Sequence, residues 1–551
     1  MCTAAIGGLT ESARSATMVG MRRGFIQKSG PLAVAIALSS APGAGADTFK
    51  VNTGADLPPN KCSQQDCSLR EAVIAANKND GKDTIVLRSN RLHALDVAGI
   101  DENKAKTGDL DVRDETTIKA SGKKMATIQA NGIDRVLHAL APLTVSRLEI
   151  TGGSINQPNG TGFGIYAPDH RLKVTRSLIT QNGSSANNSN VGGLYMGAGG
   201  TVKRTKITDN EVSSSTGGAI VLGTPERKAI VDRTKIAGNT AGSQSGGLAA
   251  SSNSIVRRST IKNNEAAQCG GAELFFMELK DSRVVGNRTV PAGMLTFGGG
   301  GVCLNSGATM VGSTVEGNSS VADGGGVEVF GGEAIINSTI HDNLASDEGG
   351  GVSVLFSDPF EIERSTFTEN VAGTDGGGLR AGSARVIVKS STFQGNEGVL
   401  GGGIVANDQP TGSDDSVVDL RWSTISQNNS GSGGGIGGAD GGSFLSEGTV
   451  IDGNMGLVAT QTDCNAVVVS SGHNFVGNPN GCMGFNQGTD VLGNPALLGP
   501  IADNGGPTLT MKPKGSSQAV DAGGDGCPSF DQRLKPRPKG AACDIGSVEA
   551  R

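Results

Sequence analysis

Aromatic side chains are scarce, making up 3% of the 551 residues with one Trp and two Tyr. That argues against a large globule built around aromatic anchors. Histidine is also sparse at five residues, which leaves few candidates for acid–base chemistry near neutral pH. His138 and His341 fall in strand-like or repeat contexts, where a structural role is expected. Apart from one short segment, Cys67 to Asn77, no stretch shows the 3.6-residue apolar period of an amphipathic helix. After Ala46 no apolar run is long enough to span a bilayer. Basic charge is not in excess either: the formal net charge of -6 gives no reason to expect nucleic acid as a partner.

The N-terminus carries a charged head, Met21-Arg22-Arg23, an apolar stretch from Pro31 to Ser39 and the small residues Ala44-Gly45-Ala46. This reads as a signal peptide over 1–46, cut after Ala46, with residues 1–20 an over-extended start ahead of Met21. Arg22-Arg23-Gly24-Phe25-Ile26 resembles a twin-arginine signal, an alternative to ordinary secretion. Export implies a secreted or surface-associated protein in an oxidising compartment. Of nine cysteines, Cys2 leaves with the leader, so eight remain. Proximity pairs Cys62 with Cys67, Cys464 with Cys482 and Cys527 with Cys543, leaving Cys269 for Cys303.

Glycine, by contrast, is abundant at 87 residues, roughly twice the ordinary share of about 7%. Its placement is periodic. An apolar strand residue (Ile179, Ile207, Ile236, Ile261, Val284, Val315, Ile340, Phe367, Phe393, Ile425, Ile451) is followed three positions later by an asparagine. These asparagines are Asn182, Asn210, Asn239, Asn264, Asn287, Asn318, Asn343, Asn370, Asn396, Asn428 and Asn454, in steps of 23 to 32 residues. Glycine pairs or triplets follow most of them, at Gly217-Gly218, Gly246-Gly247, Gly270-Gly271, Gly324 to Gly326, Gly349 to Gly351 and Gly376 to Gly378. A unit of this length with short strands and turns predicts one coil of an all-β, single-stranded, right-handed parallel β-helix. Stacked coils bring equivalent residues about 4.8 Å apart, so the asparagines form a ladder of amides along one corner.

Strand alternation gives the wall a polarity. Thr205, Thr234, Ser259, Ser338 and Ser365 point inward; Arg176, Arg204, Arg233, Arg258 and Arg364, with Lys206 and Lys235, point outward. Open ends need caps. Cys67 to Asn77 predicts a short amphipathic helix, with Ser68 and Glu71 as a capping box and Leu69, Ala72, Val73 and Ala76 as its apolar stripe. The expected organisation is an N-terminal cap over 47–83, the β-helix over 84–460 from a first strand at Thr84 to Leu87, and a loop-rich, disulfide-tied C-terminal cap over 461–551. That tail is too short for a membrane barrel of a dozen strands, which disfavours a self-secreting autotransporter.

Cys67 to Ala72, CSLREA, resembles the N-terminal signature of the CSLREA-domain proteins. The segments Asn494-Pro495 through Thr508, Ala519 to Gly523, Asp531-Gln532-Arg533, Pro536-Arg537-Pro538 and Cys543 to Gly546 resemble the choice-of-anchor Q domain. Gly217 to Ile220, Phe367 to Asn370 and Phe393 to Asn396 are similar to the GGAI and FxxN tetrapeptides of chlamydial polymorphic outer-membrane proteins. The resemblance implies a secreted or surface pectin-lyase-like β-helix with an adhesive role, although this chain lacks the barrel of the chlamydial proteins.

Two clusters are candidate sites. The first is a basic stripe over four successive units, formed by Arg176, Arg204, Lys206, Arg233, Lys235 and Arg258 and flanked by Lys173, Lys203, Arg257 and Lys262. Such a stripe suits an acidic polysaccharide. The second is acidic: Asp323, Glu348 and Asp375 each precede a glycine triplet and should stack at one corner, where oxygen ligands on a tight turn suit Ca²⁺. The favoured reading is a monomeric, non-catalytic adhesin or binding scaffold for an extracellular glycan or cell-surface ligand. The alternative is a polysaccharide lyase or glycoside hydrolase, which would need a base and a cation, or two carboxylates, facing one groove. No compact motif identifies catalytic residues.

Overall fold

The computed structural model describes residues 45–56, 58–100, 102–154, 163–183, 191–291, 298–408 and 416–551. The expected leader lies outside the described residues except for Gly45 and Ala46. Each coil repeats one path, as in residues 324–345. A glycine corner leads into a first wall, Val327–Phe330, then a second, Ala334–Ile336. A left-handed residue, Asn337 at φ 51, turns the chain into a third wall, Thr339–His341. Asp342 at φ 56 makes the next corner, and Leu344–Ala345 forms a short fourth wall. The first two walls share one 28-stranded sheet, because strands such as Leu248–Arg257 and Ala272–Lys280 run through both. The third wall is a 16-stranded sheet and the fourth a 10-stranded one, and neighbouring coils pair in parallel. This is the parallel β-helix that the glycine and asparagine periods predict.

Register holds the core in columns. The apolar residues from Ile179 to Ile451 oppose one another coil by coil in the third wall. Phe367 and Phe393 stack face to face, with ring centroids 4.3 Å apart and planes 4° from parallel. Thr205, Thr234, Ser259, Ser338 and Ser365 are buried. Such hydroxyls also link coils: the backbone N–H of Ser313 donates to Ser338 Oγ and that of Ser338 to Ser365 Oγ, both at 3.1 Å.

The asparagine ladder has a direction. Asn182 Nδ2 donates to Asn210 Oδ1 at 2.9 Å, and the same bond recurs at each step to Asn454. Each Oδ1 also accepts the backbone N–H of the preceding asparagine, as in Asn318 N to Asn343 Oδ1 at 3.0 Å. The second Nδ2 proton goes back to a carbonyl of the previous coil, for Asn318 that of Val284. At the far end Asp463 takes the next place, its Oδ1 accepting both Asn454 Nδ2 and Asn454 N at 2.9 Å. An ionised carboxylate only accepts, so it ends the ladder without leaving a donor behind.

At the N-terminal end the helix is Leu69–Ala76, and its capping box forms between Ser68 and Glu71. Leu69, Ala72, Val73 and Ala76 join the main core. Coiling starts earlier than the sequence suggests: Thr48–Lys50 already pairs with Thr84 to Val86, a three-residue strand too short to show a period. At the other end the coils continue past 460, through Cys464–Gly472, Phe475–Val476 and Val491–Leu492. The remaining tail does more than close an end. It folds back along the third wall, where Thr366, Thr392 and Thr424 hydroxyls bond Leu509, Gln532 and Ser547. Val450 and Phe475, outward residues of that wall, form a second small core with Ala496, Ala519 and Ile545. The four disulfides are Cys62–Cys67, Cys269–Cys303, Cys464–Cys482 and Cys527–Cys543. Among the described residues no helix is long and apolar enough to cross a membrane.

Replacing Asn318 by alanine leaves Asn287 without its acceptor and the Val284 carbonyl without its donor. Stability should fall by about 2–4 kcal/mol, read as a lower urea midpoint, whereas Gln394→Ala on the outer face should leave the midpoint within error.

Candidate functional site

The basic stripe occupies the corner between the second and third walls. Arg176, Arg204, Arg233 and Arg258 stand there in successive coils, all exposed and all left-handed, with φ 52, 51, 50 and 50. Lys206 and Lys235 oppose one another as the first residues of the adjoining third-wall strands. One acid lies beneath part of the stripe. Asp232, at the end of a second-wall strand, is buried beneath basic side chains. Arg258 Nε and Nη2 donate to its Oδ1 at 2.8 and 2.5 Å. Arg257, Lys203 and Arg233 approach at 3.5, 3.8 and 3.9 Å. Burial alone would raise this carboxyl, but the Arg258 hydrogen bond and the charges of Arg258, Arg233 and Arg257 outweigh it, holding it below the usual carboxylate range. Four cations against one carboxylate leave the corner strongly positive. Phe276, 61% exposed where the first wall bends into the second, lies in the next coil, on the strand that ends at Lys280.

Asp323, Glu348 and Asp375 stand at a different corner, ahead of the first wall. They stack through the backbone, Gly324 N–H donating to the Glu348 carbonyl and Gly349 N–H to that of Asp375. Their side chains do not gather around an empty centre. Arg380 comes between them from the first wall, its Nη2 2.7 Å from Glu348, its Nη1 3.8 Å from Asp323 and its Nε bonded to Asn407 at 3.1 Å. The positive charge that the sequence assigns to Ca²⁺ is thus supplied by a buried guanidinium. Only glycine at 382 leaves room for it, since a Cβ there would strike the Arg380 guanidinium. Beneath the same corner Glu328 is fully buried with neither carboxyl oxygen hydrogen-bonded among the described residues. Burial pushes Glu328 well above the ordinary carboxyl range and Asp323 up to about 6.

Glu328 and Arg380 belong to a column that sequence reasoning did not see. On the outer face of the first wall the register places Asp111, His138, Tyr166, Tyr195, Ile220, Ala249, Glu273, Cys303, Glu328, Ser353 and Arg380 one above another. From Cys303 onward these residues are buried, and the glycine corner closes over them: a Cβ on Gly324, φ 59, would run into Glu328. At the other end the two tyrosine rings remain half-buried. His138 and Tyr166, and Tyr166 and Tyr195, have centroids 5.3 Å apart, and Arg135 lies 5.4 Å over Tyr166. The signal was an apolar–polar–apolar triplet at each strand (Leu110-Asp111-Val112, Leu137-His138-Ala139, Ile165-Tyr166-Ala167), too short to stand out without the register.

Residues 300–479 match the family described as right handed beta helix region. No curated protein sequence matches the chain. Among solved structures, the pectate lyase Pel9A is similar at 12% identity, covering 92% of this chain and 98% of that one with a TM-score of 0.24. That likeness is too low to carry a function across.

Glu328 gives the acidic corner a pH signature. A carboxyl whose folded pKa lies above its unfolded value binds more protons when folded, so its contribution falls as pH rises beyond about 4.5. Glu328→Gln should therefore change stability little at pH 5 and increase it at pH 8. Parallel wild-type and variant melting curves across that range would count against a buried acid.

Proposed function

We propose that the chain is an exported or surface-held scaffold that binds an acidic glycan, without cleaving it, at the arginine corner. One observation carries the reading: arginine occupies the same left-handed corner in five consecutive coils, at 147, 176, 204, 233 and 258, and the last four are exposed. A left-handed backbone costs an ordinary residue about 1–2 kcal/mol relative to glycine, a cost this corner also carries at Ser390 and Trp422, so the repetition of one charged residue type, not the strain, points to a role for the side chain. Planar guanidinium groups repeated at about 4.8 Å suit a polymer that repeats carboxylate or sulfate groups, which they can grip in paired hydrogen bonds. Exposed Phe276 adds an apolar face against which a sugar ring could lie. Four disulfides accord with an oxidising compartment, and the resemblance of the repeats to chlamydial surface proteins points the same way.

A lyase or hydrolase would need its cations and acids on one groove. Here the basic corner and the acidic corner lie on opposite ends of the first two walls, and the acids at the latter are occupied by Arg380. The binding reading is therefore preferred.

Arg204→Gly with Arg233→Gly removes two cations and relieves the backbone at the same time. Affinity for polygalacturonate or a sulfated glycan, measured by surface plasmon resonance, should drop about tenfold or more, while the melting temperature stays level or rises. Wild-type binding should weaken with added salt, and neutral glycans should not bind. Release of reducing ends or of ultraviolet-absorbing unsaturated products by the wild type would overturn the non-catalytic reading.

A further inference from the structure

Asp109, Asp111 and His138 lie at the head of the first-wall column, apart from the arginine corner. Asp111 and His138 are direct partners on adjacent coils, and Asp109 precedes Asp111 by two positions on the same strand face. All three are buried, at 1%, 0% and 8% exposure. One ligand atom from each lies within 4.8 Å of the others, the only such trio among the described residues. We propose that these residues bind one divalent transition-metal ion of the zinc type.

The spacing supports this. Two ligands on adjacent positions of a metal with bonds of about 2.1 Å stand roughly 3.0–3.5 Å apart; His138 Nδ1 and Asp111 Oδ1 are 3.1 Å apart. Each carboxylate has one oxygen already held from behind, the arrangement that orients metal ligands. Asp111 Oδ2 accepts the Ala105 N–H at 2.8 Å, and Asp109 Oδ2 accepts Arg135 Nε at 2.6 Å. The backbone that carries Asp109 is pinned too. Arg70 of the cap helix, fully buried, donates to the carbonyls of Ala105, Gly108 and Asp109. Ala105 itself is held left-handed at φ 56.

Charge points to a cation as well. Asp109, Asp111 and Asp134 are three buried acids, with Arg135 paired to Asp109 and Arg70 paired to Asp56 close by. A divalent ion would favour the ionised form of these acids and offset the charge they then carry. One imidazole nitrogen with two carboxylate oxygens suits Zn²⁺, Co²⁺ or Mn²⁺, whereas Ca²⁺ and Mg²⁺ prefer oxygen alone. Three protein ligands leave a coordination position open, beside the half-buried Tyr166 ring.

The test uses the full chain after dialysis against a chelator. Isothermal titration with Zn²⁺ should give one ion per chain, Zn²⁺ should raise the melting temperature, and Co²⁺ should give visible absorption bands. Ca²⁺ and Mg²⁺ should bind at least about tenfold more weakly. His138→Gln and Asp109→Asn should each weaken Zn²⁺ binding about tenfold or more and alter the cobalt bands. Zn²⁺ should also protect His138 from diethylpyrocarbonate, mapped by peptide mass, a readout that needs no variant. The proposal is overturned if folded wild type shows no heat, no melting shift and no cobalt bands. It is equally overturned by undiminished binding in both variants, by Ca²⁺ binding as tightly as Zn²⁺, or by unprotected His138.

Discussion

Everything in this molecule depends on vertical register between coils. A β-helix with short strands has little hydrogen bonding within any one coil, so each coil satisfies its polar groups on the coils above and below. The asparagine column is the strictest form of that dependence. Each amide receives two donors from one side and sends its own protons to both sides, so a shift of one residue in any coil would orphan groups in three. The column therefore has fixed ends: it opens on the Gly153 N–H, which donates to Asn182 Oδ1, and closes on the acceptor Asp463. A carboxyl amid so many buried groups is costly, and burial raises it to about 6. It is tolerated because an amide at that position would bring two more protons needing partners.

Register also turns single substitutions into surfaces. Any strand position becomes a column, and chemistry repeated once per coil becomes a stripe. On the outer face of the first wall one column passes from Asp111 and His138 through two tyrosines to Glu328 and Arg380. Its character changes with what lies over it. Where the glycine corner closes down, outward polar residues are trapped as completely as core residues, and Arg380 must neutralise acids there. Toward the other end the two tyrosine rings keep an exposed edge. The glycine corners thus decide which part of the wall meets solvent, in addition to allowing the turn.

This explains what was legible in the sequence. Asparagines, glycines and the inward serines are locked to the period, and period survives insertions in the loops. The cap helix was legible because Ser68 and Glu71 form a local pattern. Every residue of CSLREA has a physical role, with Cys67 in a disulfide, Ser68 and Glu71 in the capping box, Leu69 and Ala72 in the core, and Arg70 paired with Asp56. Arg380 was not legible, because a cation reaching across coils leaves no mark on spacing. Asp463 was hidden by its nine-residue offset from Asn454, which breaks the period just where the ladder ends. The tail folds back through contacts 140 and 123 residues apart in sequence, and no repeat announces them.

The corner between the second and third walls allows a comparison within one chain. Every coil must turn there with a left-handed residue, and the fold is indifferent to which. Later coils include Gly312, Asn337 and Gly448, types that adopt this conformation at little cost, and also Asp281, Arg364, Ser390 and Trp422. The coils from 147 to 258 use arginine five times in succession, the last four exposed. Since the turn takes residues as different as glycine, serine and tryptophan, backbone geometry does not select arginine. Nor does local pairing, because of the four only Arg258 makes a close contact with Asp232, with Arg233 at 3.9 Å. Like charges held at coil spacing repel one another as well, which adds to the strain. The acidic-glycan reading proposed above accounts for the repetition, because a ligand carrying repeated negative charge would relieve the repulsion between stacked guanidinium groups.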